Sequence, residues 1–216
     1  MKIEELLEMA PPYHPKGEKP PRHWAKKNDF FISFSAIHRA YDEIGFANFT
    51  TLDLIFYMSK EAKTVFGGYE DTDPFTQELG FRVIFVLDFK SKLTIVNFPK
   101  QINRRKCLQV QKVHTLEKYQ DRDIAQFVYQ LLVSKGFTII SDTTQLDGGV
   151  GLWKKMARQA HLNDYQIHII DDEEGFLKDG NGDLLTYNSK NIDDAIIWTH
   201  DLDFSGQHKL LVMISK

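Results

Sequence analysis

A single cysteine, Cys107, stands in a chain of 216 residues. That scarcity excludes an internal disulfide and a cysteine-rich zinc site. With apolar neighbours in an expected strand, Cys107 reads as a small buried residue rather than a nucleophile. No apolar run approaches the roughly 20 residues that a helix needs to span a bilayer. The opening MKIEELLEMAPP lacks the apolar core of a secretion signal. These absences fit a protein of the cytoplasm. Positive charge is scarce in the last third, where Asp164 to Asp203 holds eleven Asp and Glu against Lys178 and Lys190 alone. Such a segment argues against phosphate-backbone binding there, because that binding rests on Lys and Arg. Elsewhere the basic residues are dispersed and no nucleic-acid motif appears, so direct nucleic-acid binding is not expected. The acidic third serves either as solvated turns or as a face for a basic partner.

What is present is a globular composition, with 42% apolar, 26% charged and 12% aromatic residues, enough to bury a core. Five of the seven prolines fall between Pro11 and Pro21, and Lys16, Lys19, Arg22, Lys26 and Lys27 make this stretch basic. Residues 1–29 therefore read as a Pro-rich basic lead-in, extended rather than helical, and 30–216 as one domain. In FFISFSAIHRAYDEIGFANF, residues Phe34, Ile37, His38, Tyr41 and Ile44 have helical spacing, with Gly45 as the stop. That places His38 and Asp42 one helical turn apart, as a structural pair. Residues 52–58 fit a strand or a helix equally, and GGYEDTDP (67–74) has the composition of a loop. FRVIFVLDF (81–89) and KLTIVNF (92–98) predict a hairpin turning at Lys90-Ser91. Lys100, Arg104, Arg105 and Lys106 crowd the link that follows.

The chain is organised around residues 106–159, which read strand, loop, helix, twice over. KCLQVQKV (106–113) is the first strand. Ile124, Phe127, Val128, Leu131 and Leu132 then form one helical face, closed by Lys135 and a C′ glycine, Gly136. FTIISD (137–142) is the second strand and TTQLDGG its loop. Gly149, Leu152, Trp153, Met156, Ala157 and Ala160 line one stripe of the second helix. Two such units put two helix N-termini at one sheet edge, where they attract anionic groups. Further on, DYQIHII (164–170) reads as a strand and KDGNGD as an Asn-Gly hairpin turn. DDAIIWTH (193–200) and KLLVMISK (209–216) read as closing strands. Asp179, Asn181 and Asp183 alternate as in a calcium loop but lack its closing glutamate, so no metal is expected.

The 106–159 stretch resembles the core of the GNAT superfamily of N-acetyltransferases. In that family a strand leads into a pyrophosphate loop, Gln/Arg-x-x-Gly-x-Gly/Ala, at the start of a helix. Gln120, Asp121, Arg122, Asp123, Ile124 and Ala125 occupy that pattern here, with Asp123 in place of the central glycine. The resemblance implies an α/β (α+β) fold: a mixed, mostly antiparallel sheet with splayed central strands, helices on both faces, and a late strand inserted beside the splayed pair. It implies acetyl-CoA as cofactor, although Asp123 brings a like charge to the phosphates, a repulsion of roughly 1 kcal/mol in bulk water. The family's Leu-Tyr pair, whose tyrosine acts as acid to the departing thiolate, is Leu152-Trp153 here. An indole N–H is no practical proton donor at neutral pH. For the base, Glu117, His114 and Asp142 lie near strand ends without a matching motif position, so the catalytic residues stay unassigned.

Two functions remain open on this reading. One is a degenerate acyltransferase scaffold that acts by binding a macromolecular partner. The other is an active acetyl-CoA-dependent N-acetyltransferase. The Pro-rich lead-in together with FTIISD…GGVGLWKKMARQ is similar to GNAT-like proteins encoded by tailed bacteriophages, among them the anti-DarT factor family. Members of that family counteract a host toxin that ADP-ribosylates DNA. The resemblance implies an anti-defence antitoxin that acts on a DarT-type toxin or on its DNA adduct; the acidic residues 164–203 would then offer carboxylates to a basic groove of the toxin.

Overall fold

A computed structural model describes residues 30–49, 52–72, 77–95, 102–120, 122–143, 147–171, 174–198 and 209–215. The Pro-rich lead-in lies outside them. The class is α+β, with ten strands among the described residues in mixed, mostly antiparallel pairing. The chain divides into two units, one of residues up to Asp88 with Val113–Ile124, the other of Phe89–Lys112 and Ala125 onward.

The first unit is an antiparallel meander. Strands β2 (Tyr41–Phe49), β3 (Leu52–Ser59), β4 (Thr64–Thr72) and β5 (Leu79–Phe89) follow one another in space, and β1 (Phe30–Ser33) also pairs with β5. Residues 52–58 are thus strand. Alternate side chains turn to one face and meet there as rings. Tyr41 packs on Phe66 at 4.8 Å and Tyr57 on Phe81 at 5.3 Å, both edge to face.

Two expectations are corrected here. The first helix, α1, spans only Phe34–Ala40, and the chain is already a strand at Tyr41 and Ile44. Helical and strand spacing both bury Ile37 and Tyr41; the ladder between Tyr41 and Ser59 decides for strand. Gly45 marks a bulge in that ladder instead of a helix stop. Asp42 is consequently on a strand, and His38 stacks on Phe34 with ring centroids 6.2 Å apart. The second correction concerns GGYEDT, which is not a loop: Gly67 and Gly68 lie inside β4. A Cβ at Gly67 would overlap the Phe56 ring, and one at Gly68 the Arg82 carbonyl. These glycines answer close packing between strands rather than a turn.

The second unit holds β6 (Cys107–Thr115), β7 (Thr138–Ile140), β8 (Tyr165–Asp171), β9 (Gly175–Phe176) and β10 (Lys209–Ser215), with helices α2 (Ile124–Ser134) and α3 (Asp147–Gln159). β6 and β7 run parallel. β10 lies antiparallel between β7 and β8, so Val212 faces Ile140 on one side and His168 on the other. Ile95, Cys107, Ile140, Ile170, Leu210 and Val212 form one buried cluster of this sheet.

Of the expected face of α2, Ile124, Val128 and Leu132 are buried and Phe127 and Leu131 half-buried, while Tyr129 and Val133, outside that face, are buried as well; in α3 the expected Trp153, Met156 and Ala157 are buried. The two helices meet where Tyr129 and Trp153 lie 5.7 Å apart. Gly136, at φ +82°, ends α2 by giving its N–H to Val133, while Phe137 gives its own to Leu132. That double bond pattern needs a left-handed residue, which glycine supplies. The Asn-Gly turn also forms, with Gly182 at φ +88° and Lys178 bridged to Leu184.

Three boundaries differ from expectation. Asp147 and Gly148 belong to α3 rather than to its preceding loop, and Gly149 is helical as its place on the stripe requires. Residues 92–95 are not strand, because the Thr94 N–H is taken by the side chain of Gln109, and residues 96–98 lie outside the described set. The run 193–200 contains a helical turn, Asp194–Ile197, started by the Ile196 N–H bond to the Asp193 carbonyl. Asp before a short apolar run is a helix-start signal that outweighed the β-branched pair. Among the described residues no helix is long and apolar enough to cross a membrane.

Candidate functional site

The residues expected to form a pyrophosphate loop run from a 3-10 turn, Glu117–Tyr119, to the start of α2. Gln120 closes the turn with its N–H on the Glu117 carbonyl at 3.2 Å. Its side-chain amide turns back and donates to the Thr115 carbonyl, also at 3.2 Å. Arg122 and Asp123 are exposed, Ile124 is buried at the first helical position, and Ala125 is half-buried. Asp121 lies outside the described residues. Asp123 has φ +59°, the left-handed region that favours glycine and that aspartate enters more readily than most residues. The backbone therefore keeps a glycine-type bend where the resemblance calls for glycine, and adds a carboxylate beside a helix N-terminus. Lys118 and Arg122 sit over the Tyr119 ring at 4.8 and 5.5 Å, contacts worth about 0.5–1 kcal/mol each at exposed sites. The Tyr119 hydroxyl is 3.3 Å from that of Tyr69.

A second polar set, of which the sequence singled out only Asp142, lies in the second unit at the gap left where the β6–β7 ladder ends. The ladder joins Cys107–Gln109 to Thr138–Ile140; β7 then stops while β6 continues to Thr115. Gln109 is fully buried at the parting point. Its Oε1 accepts the Thr94 N–H at 2.9 Å, and its Nε2 donates to Thr94 Oγ1 at 2.8 Å and to the Ser141 carbonyl at 3.3 Å. Ser141 Oγ in turn accepts the Leu211 N–H at 3.0 Å. Lys90 gives its backbone N–H to the Gln109 carbonyl at 2.8 Å. Its ammonium reaches Asp142 Oδ1 at 2.7 Å and Thr143 Oγ1 at 3.0 Å. At 19% and 20% exposure, this ion pair is better shielded than a surface one. Two side-chain bridges thus cross the gap. The available signal was a glutamine inside the apolar run Cys107–Val110.

The remaining candidates scatter. Asp142 is engaged by Lys90, Glu117 is exposed on its turn, and His114 is half-buried on β6. Trp153, at 1% exposure, packs the core against Tyr129. Burial pushes the Cys107 thiol up to about 11, against smaller opposing effects of Thr138 and Arg104, which suits packing rather than nucleophilic attack. In the acidic third, Asp171 is buried, accepts the Glu174 N–H at 3.1 Å and pairs with Lys209 at 3.5 Å. Asp179 accepts the N–H groups of Asn181 and Asp183 at 2.8 and 3.0 Å. Both carboxylates shape turns. Asp172 and Glu173 lie outside the described residues. Among the described residues no group of His, Cys, Asp and Glu is placed to hold a metal. No family profile, curated protein or solved structure matches the chain.

Proposed function

We propose that the chain is a GNAT-like scaffold that has lost acyl transfer and acts by binding a macromolecular partner. Three features support the scaffold: the parallel β6–β7 pair that parts after its short ladder, β10 lodged between β7 and β8, and α2 and α3 each following a strand of that pair. The observation that carries the loss of activity is the closed gap. Gln109 and Lys90 bridge it to Ser141 and Asp142, where an acyl-CoA arm would have to enter. Trp153 in the core and the Asp123 carboxylate at the helix start agree with this reading.

The partner we favour is a DarT-type toxin, met in the host cytoplasm by a phage-encoded antitoxin. Co-expression with such a toxin tests it. Neutralisation by the native chain, abolished by charge reversal at Asp172, Glu173 and Glu174, is the expected result. Neutralisation that survives the reversal removes the acidic third from the proposal.

One observation favours the second reading, an acetyl-CoA-dependent N-acetyltransferase: the glycine-type φ of Asp123. Calorimetry with acetyl-CoA separates the two. The degenerate scaffold gives no binding heat, whereas micromolar binding by the native chain overturns the proposal and directs the search to an amine acceptor.

A further inference from the structure

Three strands of the second unit begin at one end of its sheet. β6 starts at Cys107 opposite Thr138 of β7, and β10 returns between β7 and β8, setting Ser215 against Tyr165 where β8 starts. The segments that feed these strands meet at that end: the 3-10 turn Arg104–Lys106, the close of α2 at Lys135, and the last turn of α3 with Arg158. Lys106 Nζ comes near enough to Gly136 that a Cβ there would lie 3.3 Å away. Arg104, Arg105, Lys106, Lys135 and Arg158 are all exposed. Asp164 is the one acidic residue in segments 102–116, 124–141 and 155–165. Asp142 and Asp171 stand at the opposite end, after β7 and at the close of β8.

The fold therefore brings Lys135 and Arg158 to the same end as the basic run Arg104–Lys106. Lys135 and Arg158 have a local reason, since helix C-termini favour positive charge. Helix ends do not account for Arg104 and Arg105. Their turn is stiffened by Asn103, whose Oδ1 accepts the Arg105 N–H at 3.1 Å and whose carbonyl accepts that of Lys106 at 2.9 Å. A fixed turn carrying two guanidinium groups suits phosphate oxygens, which arginine meets with a planar fork.

We propose that this end of the second unit docks the phosphate backbone of a nucleic acid, with Arg104 and Arg105 at its centre. The inference uses no residue of the β6–β7 gap and stands apart from the proposed loss of acyl transfer.

The test is fluorescence anisotropy of a short labelled DNA duplex, titrated with the full chain over a series of salt concentrations. Binding that weakens with salt is expected. Arg104→Gln/Arg105→Gln should lose about tenfold in affinity and lower the salt slope by about two. Lys178→Gln/Lys190→Gln should bind as the native chain does, and circular dichroism checks that both variants are folded. Absent binding at low salt, an arginine variant that binds like the native chain, or polyglutamate competing as well as DNA each overturns the proposal.

Discussion

The side-chain amide of Gln109 donates to the carbonyl of Ser141 across the point where β6 and β7 stop pairing, at 3.3 Å. Its oxygen meanwhile holds the N–H of Thr94. One side chain thus replaces two pieces of missing ladder, which explains a glutamine in an apolar strand: the Ser141 carbonyl that it serves belongs to a buried residue. Gln109→Leu keeps the bulk and removes the bonds. Urea denaturation should show a loss of about 2–4 kcal/mol; a change within error would mean that the gap is held by packing alone.

At Asp123 the backbone decides the outcome. Asp123→Val puts a β-branched residue at φ +59° and should cost about 1–2 kcal/mol, whereas Asp123→Gly should fold at least as well as the native chain. Thermal melts of the two variants side by side check the ordering.

Gly68 leaves no room for a side chain. Gly68→Ala would drive its methyl against the Arg82 carbonyl, with an expected loss of about 3 kcal/mol. Gly151→Ala is the control: nothing stands within 4 Å of the added atom, and alanine inside α3 should stabilise by about 0.5–1 kcal/mol.

His168 makes stability depend on pH. Burial holds its imidazole below the ordinary value, the carbonyl of Leu185 opposing this more weakly. The unfolded chain therefore takes up the proton first as pH falls, and stability is full above the ordinary imidazole pKa and lost toward the lower folded one. The urea midpoint should fall between about pH 7 and pH 5. His168→Gln should flatten part of that fall, and an unchanged profile would assign it to other histidines.

Long periodic stretches were legible from the sequence. Ile124 to Leu132 and Trp153 to Ala157 repeat often enough to fix a helical face, and Gly136 announces the end of α2. The failures have a common cause in long-range pairing. Tyr41 and Ile44 suit either period until β3 is present to pair with them. Gly67 and Gly68 look like a loop because the ring and carbonyl that exclude a side chain come from β3 and β5. Gln109 and Lys90 find Ser141 and Asp142 only after α2 has brought β7 beside β6. At the loop, the resemblance pointed to Asp123 but could not supply its φ.

The position of β10 has a consequence for the order in which the second unit assembles. β7 and β8 are made well before Leu210–Met213, yet neither has the other as a neighbour; each waits for the strand that will lie between them. Until then both offer bare edges to any passing chain. The closure of a loop that long slows the final step. During synthesis the second unit therefore needs either speed or a chaperone while its central place stands empty.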